Sequence, residues 1–329
     1  MDLSIIIVNT NVKSYLKDCL RSIFESFKES RLAFEIFVVD NNSSDGSQKM
    51  VKEEFPTVIL MENQENLGFP RANNQAIRIA KGNYLLLLNP DTVITPGSLD
   101  LMVEFMEKNQ EVGAVGPKLI DINGFAQPSV GKEDTAFTVF LRFCLPRSFT
   151  GKIKKILAKN NFKKFRKLFG SQVDSYLSRS EIDTPIEIDR ISGACLLFRR
   201  KITEEIGLLD EKIFLYSEDA DLCLRIKKKG WKVIYFPIVE IIHYGGKATG
   251  GSFSPFPFCY EAESAYYYFK KHYNKTTAFV VRLLLSFALI ARVFWFLYHH
   301  IILKREKKRY DLWKTYRSTL AKIITGKNL

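Results

Sequence analysis

The sequence predicts an α/β fold built around a doubly wound, mostly parallel sheet, and three observations carry that reading. Short apolar runs recur from Ser4 to Gly116, helix-period segments separate them, and polar or Gly/Pro clusters bound each run. The runs are apolar throughout rather than alternating, which suits strands covered on both faces.

In chain order, Ser4–Val8, Glu35–Asp40, Val58–Met61, Tyr84–Leu88 and Val112–Gly116 read as strands. Ser14 is placed to cap a helix over Tyr15–Phe27, and Pro96 to open one over Gly97–Lys108. Asn123-Gly124 is a hairpin signal that ends the simple alternation. Strands then follow at Ile186–Ile191 and Ala194–Phe198, helices near Lys201–Ile206 and from Asp219 to Lys229, and a strand at Lys232–Phe236. Gly245–Phe258 reads as a loop and Tyr260–His272 as a helix.

A chain of 329 residues with 46% hydrophobic content can bury one substantial core and keep residues for a smaller appended unit. The expected division is a catalytic domain over 1–273, interrupted by a basic helical insertion at about 133–181, and an extension over 274–329. The formal charge of +13 belongs to the appendages: ten Lys or Arg and no acid lie between Arg142 and Lys167, and nine follow His299 against Glu306 and Asp311. The remainder is mildly acidic, which argues against a nucleic-acid partner and directs the basic segments to an anionic membrane surface.

Ala278–Leu303 is long enough to span a bilayer, but Arg282 and Arg292 interrupt it, and a charge at bilayer centre costs about 2.5 to 3.5 kcal/mol. Arg282, Ser286, Arg292, His299, His300 and Lys304 fall within an arc of roughly 140° on a helix, the pattern of a helix lying in the interface. Five cysteines without paired spacing, and a start free of a basic leader or cleavage site, give a cytoplasmic expectation, peripheral on the inner face of the membrane.

In an open parallel sheet, ligands collect at the carboxyl ends of the strands. Asn9 and Thr10 follow the first run, Asp40 to Gly46 the second, and Asn89-Pro90-Asp91 the fourth. Any one of these is also what a turn or cap looks like; three on one rim point to a ligand. Asn66 to Asn74 adds a Gly-containing loop with Arg71 ahead of a helix, fitting either a diphosphate or an ordinary αL turn at Gly68. Glu218, Asp219 and Asp221 crowd three carboxylates at one helix start, where the helix dipole accounts for one or two. One of them can serve as a general base. His243 near a strand end is, by itself, a packed histidine or a metal ligand.

Taken in order, these pieces resemble a family 2 glycosyltransferase of the GT-A fold, close to its rhamnosyltransferase-like branch. The series is Ile-Ile-Val-Asn at the start, Val38 to Ser47, Asn66 to Phe69 with Asn73-Asn74, Leu88 to Asp91, Ser192-Gly193-Ala194 with Arg199-Arg200, Glu218 to Arg225, and His243 to Gly246. The resemblance implies that Thr10, Asp40, Arg71 and Asn89 border the nucleotide. It makes Asp91 and His243 ligands of a divalent Mg2+ or Mn2+ and Asp219 the base, with Glu218, Asp221, Arg225 and Gly193 on the acceptor side or in support. The implied activity is an inverting transfer from dTDP-rhamnose or a UDP-sugar to a lipid-linked or polysaccharide acceptor in cell-surface glycan synthesis. One departure is that Asn89-Pro90-Asp91 stands where many relatives carry Asp-x-Asp. Other readings are a sugar-1-phosphate nucleotidyltransferase, whose Gly-rich first loop is replaced here by Asn9 to Lys13, and an inactive membrane-bound scaffold.

Overall fold

The computed structural model describes residues 1–144, 182–245, 256–303 and 310–326. Most of the sequence-predicted basic insertion, at 145–181, and most of the Gly245–Phe258 loop lie outside the described residues. The strands are β1 (Leu3–Asn9), β2 (Phe34–Asn41), β3 (Ile59–Asn63), β4 (Tyr84–Leu88), β5 (Thr92–Val93), β6 (Val112–Ile120), β7 (Val130–Gly131), β8 (Ile186–Glu187), β9 (Arg190–Ile191), β10 (Cys195–Arg199) and β11 (Lys232–His243). The helices are α1 (Lys13–Ser26), α2 (Ser47–Glu54), α3 (Phe69–Ile77), α4 (Ser98–Lys108), α5 (Ala136–Val139), α6 (Ile202–Ile206), α7 (Glu218–Lys228), α8 (Phe256–His272), α9 (Lys275–Leu303) and α10 (Tyr310–Thr325).

The described residues of Met1–Glu133, Asp174–Phe214 and Glu218–Gly251 form one compact unit. Its sheet runs β3-β2-β1-β4-β10-β6-β11-β5, with β8 also paired to β11. The pairs β1–β2, β1–β4, β2–β3 and β6–β11 are parallel, so the expected mostly parallel sheet is present. Strand β10 differs: it enters between β4 and β6 and runs antiparallel to both. An all-apolar run carries no sign of direction, so periodicity gave Ala194–Phe198 as a strand and nothing more. Both faces are packed. Ile5, Ile7, Leu86, Leu88 and Leu197 face α1 and α4, while Ile6, Phe37, Leu85, Leu196 and Phe198 face the side of α3 and α7.

Two local readings change. Ser14 lies inside α1, exposed, and makes no cap; Val12 precedes the helix, and Asp45 Oδ2 accepts the Lys13 N–H at 2.8 Å instead. The cap is brought from a distant loop, which sequence neighbourhood does not show. Strand β11 does not stop at Phe236. Pro237 lacks an N–H for the ladder, so the register against β6 slips between Phe236 and Glu240 and pairing resumes through Ile242. That resumption sets His243 opposite Thr92 of β5.

The described residues of Asp134–Val173, Leu215–Ser217 and Ser252–Leu329 form the second unit. Arg142, in the π turn Phe140–Cys144 after α5, bonds Asp134 at 2.7 Å and reaches Glu261 of α8 at 3.5 Å. Glu263 of α8 takes Thr319 and Lys322 of α10, a helix the sequence reading left as a basic tail. The interfacial-helix expectation for α9 inverts in one respect. Its inner face, with Val281, Leu285, Ala288 and Leu289 buried, also holds Arg292, whose guanidinium stacks 3.8 Å from the Phe258 ring. The exposed face is apolar: Phe279, Val280, Leu283, Phe287, Ile290 and Phe294 fall within about 100° at 100° per residue. Lys275–Phe294 is long and apolar enough to cross a membrane by length and composition alone.

Candidate active site

The carboxyl rim of the sheet is organised first by Asp40, at the end of β2 and fully buried. Its Oδ2 accepts from Asn9 of β1 at 2.8 Å, and its Oδ1 from the Ser43 N–H at 2.8 Å and Gln48 at 2.7 Å. These bonds fix the loop after β2 against the end of β1, with Thr10 half-buried beside it. Arg71 is exposed on the first turn of α3. Gly68, before that helix, has φ +82°, and a Cβ there would meet the Phe214 carbonyl oxygen at 2.5 Å. Its glycine is explained by this close backbone approach rather than by an αL turn.

Asp91 follows β4 and is 1% exposed. Its Oδ1 lies 3.3 Å from His243 Nε2, although the two residues are far apart in sequence, because the β5–β11 pairing brings them together. Tyr244 N–H donates to the Asp91 carbonyl at 2.9 Å, and Asn89 Nδ2 stands 3.5 Å from His243 Nε2. Gln127, which sequence reasoning did not single out, settles the ring. Its Nε2 donates to the His243 backbone carbonyl at 2.6 Å, so its Oε1 must be the atom 2.9 Å from Nδ1. In the neutral imidazole Nδ1 therefore carries the hydrogen, and Nε2 presents a lone pair toward the Asp91 carboxylate. A lone pair and a carboxylate oxygen at that separation repel each other unless a proton or a metal ion lies between them. A divalent ion fits this donor set, one oxygen and one nitrogen, with further positions left to phosphate oxygens and water. Among the described residues no group of three or more His, Cys, Asp or Glu forms a metal cluster. The only hint of Gln127 in the sequence is its position just past the Asn123-Gly124 turn.

The acids of α7 separate into three environments. Asp221 is fully buried and paired with Arg225 at 2.8 Å, and Arg225 also caps the end of α6 through the Ile206 carbonyl at 2.8 Å. That pair ties two helices together. Asp219 is half-buried; its Oδ1 accepts the Ala220 N–H at 2.7 Å and its Oδ2 the Gly193 N–H at 3.2 Å. Glu218 is 7% exposed, and burial, with repulsion from Asp219 and then Asp221, pushes its pKa up to about 8. Tyr216 and Ser217, just before α7, both hold left-handed φ values, +67° and +65°, a strained pair for residues with side chains.

The turn Ser192-Gly193-Ala194 joins these parts. Ala194 accepts the Asn89 N–H at 2.9 Å on one side, and Gly193 donates to Asp219 on the other. The loop of Asp91 and the start of α7 thus meet across two consecutive residues ahead of β10. The arrangement supplies an oxygen–nitrogen pair suited to a cation and, beside it, an accessible carboxylate held in one orientation.

Residues 4–207 match the family described as Glycosyl transferase family 2, and residues 178–255 match Glycosyltransferase like family 2. The chain is similar to an N-acetylglucosaminyl-diphospho-decaprenol L-rhamnosyltransferase of Mycobacterium tuberculosis, 27% identical over 228 residues, covering 65% of this chain and 68% of that protein. It is also similar to a low-salt glycan biosynthesis hexosyltransferase of Haloferax volcanii, 24% identical over 247 residues, covering 74% and 67%. In fold it is similar to a mannosyltransferase from Pyrobaculum calidifontis solved with GDP-Man and Mn2+. That likeness has a TM-score of 0.53 at 17% identity and covers 98% of this chain and 84% of that one.

Proposed function

The chain belongs to glycosyl transferase family 2, and from that membership we propose an inverting, metal-assisted transfer of a sugar from a nucleoside diphosphate to a lipid-linked acceptor. The observation that carries this reading is the Ser192–Ala194 turn, with the Asp91–His243 pair on one side and Asp219 on the other. Thr10, Asn89 and Arg71 line the approach for the nucleotide, with Asp40 holding the adjoining loop in place, and Arg71 offers its charge to the diphosphate. Asp91 and His243 would hold a divalent ion, which when bound offsets the negative charge that builds on the leaving diphosphate. Asp219 accepts the proton of the acceptor hydroxyl as its oxygen attacks the anomeric carbon from the face opposite the leaving group, which inverts configuration. The Gly193 N–H holds Asp219 Oδ2, so one carboxylate oxygen is fixed by the protein and the carboxylate cannot swing away.

Rhamnose as the sugar, and a polyprenyl-diphosphate-linked saccharide as the acceptor, are supported by the name of the mycobacterial relative. A membrane-held acceptor also suits α9, whose outward stripe of Phe279, Leu283, Phe287, Ile290 and Phe294 is chemically a lipid-facing surface. Its inward arginine is sheltered on Phe258. We place the enzyme at the cytoplasmic face, with this stripe dipping into the anionic surface and the basic segments of the sequence reinforcing it.

The test is release of nucleoside diphosphate from a panel of nucleotide sugars, with and without Mg2+ or Mn2+ and with a polyprenyl-diphosphate-linked GlcNAc acceptor. Metal-dependent release with dTDP-rhamnose or a UDP-sugar is expected. No release from any donor, acceptor present or absent, would favour the inactive scaffold. For the surface, F287E combined with F294E should lower recovery with anionic vesicles; unchanged recovery removes α9 from the account.

A further inference from the structure

The acid cluster that opens α7 contains one group the transfer chemistry leaves without work. Glu218 is 7% exposed, and its Oε2 has no hydrogen-bond partner among the described residues. A side chain starting at Gly193 would lie 3.8 Å from Glu218 Oε1 and 3.8 Å from Asp219 Cβ, so both acids converge on the Ser192–Ala194 turn. The charged groups that bear on Glu218 are acids of its own helix: Asp219 beside it, and Asp221, itself neutralised by Arg225. The neighbouring turn and the start of α3 bring Gly193 and Phe69, neither charged. Among the described residues, no cation figures among the groups that shift Glu218, and two adjacent carboxylates in one small space cannot both ionise cheaply.

We propose that Glu218 is held as a neutral carboxylic acid that donates a hydrogen bond from Oε2 to a sugar oxygen of the bound substrate, leaving the charge beside the Ser192–Ala194 turn to Asp219. This rests on the transferase reading and adds a second role to it. One acid is kept protonated by burial while its neighbour, half-exposed and held by N–H groups, remains a base; unlike environments assign unlike roles to like groups. The buried donor is satisfied only when a ligand oxygen reaches it, so a substrate lacking that oxygen leaves it unpaired and is rejected. No bond to Glu218 is made or broken; its proton stays on Oε2 throughout the hydrogen bond.

The proton can be followed without turnover. In protein labelled with carboxyl-13C glutamate, one resonance should titrate near pH 8 and be missing from E218Q. If every glutamate titrates below about pH 5.5, near the ordinary carboxylate range, the proposal is overturned. Turnover supplies the second readout. Wild-type activity should fall as pH rises through about 8, where Glu218 becomes charged. E218Q, whose amide still donates, should lose no more than about tenfold at pH 7 and should lack that alkaline limb, whereas E218A should lose about 10- to 100-fold, the size of one buried hydrogen bond. An alkaline limb shared by wild type and E218Q overturns the assignment even if E218A fails to fold. Comparing donor hydrolysis without acceptor to full transfer distinguishes the sugar: a limb lost in both places the oxygen on the donor, a limb lost only in transfer places it on the acceptor. Absence of wild-type turnover with any nucleotide sugar sinks the transferase reading and this role together, a result distinct from turnover with a shared limb.

Discussion

The two ends of β10 place charges in opposite circumstances. At its far end Arg199 is 7% exposed, yet its guanidinium is filled: it donates to the Val112, Met106 and Asn109 carbonyls at 2.8, 2.5 and 3.2 Å and to the Tyr84 hydroxyl at 3.1 Å. Met106 and Asn109 lie at the carboxyl end of α4, where orphan carbonyls and the helix dipole favour a cation. Just ahead of β10, across the Ser192–Ala194 turn, Asp219 keeps capacity to accept, Glu218 Oε2 has no hydrogen-bond partner among the described residues, and His243 turns Nε2 toward Asp91 and Asn89. Both ends carry ionisable side chains wholly or partly removed from water. The difference teaches that burial alone does not mark a functional charge; a saturated one is structure, and one with valences open to the cleft is chemistry.

Substitutions can break or sharpen that contrast. The largest effect belongs to D219N, which should lower turnover by about 10² to 10⁴ while the nucleotide still binds, read as kcat against nucleoside-diphosphate affinity. R199A should act on stability instead. Losing the guanidinium's charge-assisted bonds to three carbonyls and to Tyr84 costs about 3 to 5 kcal/mol in denaturant unfolding, with kcat of the folded protein unchanged. If R199A lowered kcat and left stability alone, the contrast between the two ends would fail. H243A should weaken Mn2+ dependence of turnover by roughly 100-fold, and Q127A, which frees the tautomer, by about tenfold, in the range of partners that orient a metal ligand. Last is a pH effect on stability. The Glu218 pKa is raised in the folded state, so its contribution is fully present below the ordinary value of 4.5 and is lost as pH climbs through about 8. Thermal unfolding of the wild type should therefore fall across that window, with a shallower fall in E218Q.

Much of this was legible in the sequence because rim loops follow apolar runs. Asn9, Asp40, Asn89 and Asp91 each sit where a buried strand must end and polar atoms must emerge. What was not legible depends on long-range pairing. Ala194–Phe198 reads as a strand in either direction, and only its insertion between β4 and β6 brings Gly193 beside Asp219. The predicted strand ends at Phe236, yet β11 bulges past Pro237 and carries His243 to Asp91. Gln127 has no motif; its role exists only through the His243 carbonyl and ring. The three acids of α7 look alike as letters, and their separation into a helix tie at Asp221, a half-buried acceptor at Asp219 and a buried carboxyl at Glu218 follows from what each packs against. On α9, periodicity groups Arg282, Ser286 and Arg292 on one arc, but that Arg292 packs inward depends on Phe258, a partner outside the helix.

The most direct test of the central claim is a crystal of the protein grown with Mn2+ and a nucleoside diphosphate, with the metal located by its anomalous scattering. The account predicts a single Mn2+ peak within bonding distance of Asp91 and His243 Nε2, touching the diphosphate, with Asp219 across the Gly193 turn facing the vacated sugar position. Mn2+ and diphosphate bound elsewhere, with Asp91 and His243 untouched, would contradict it.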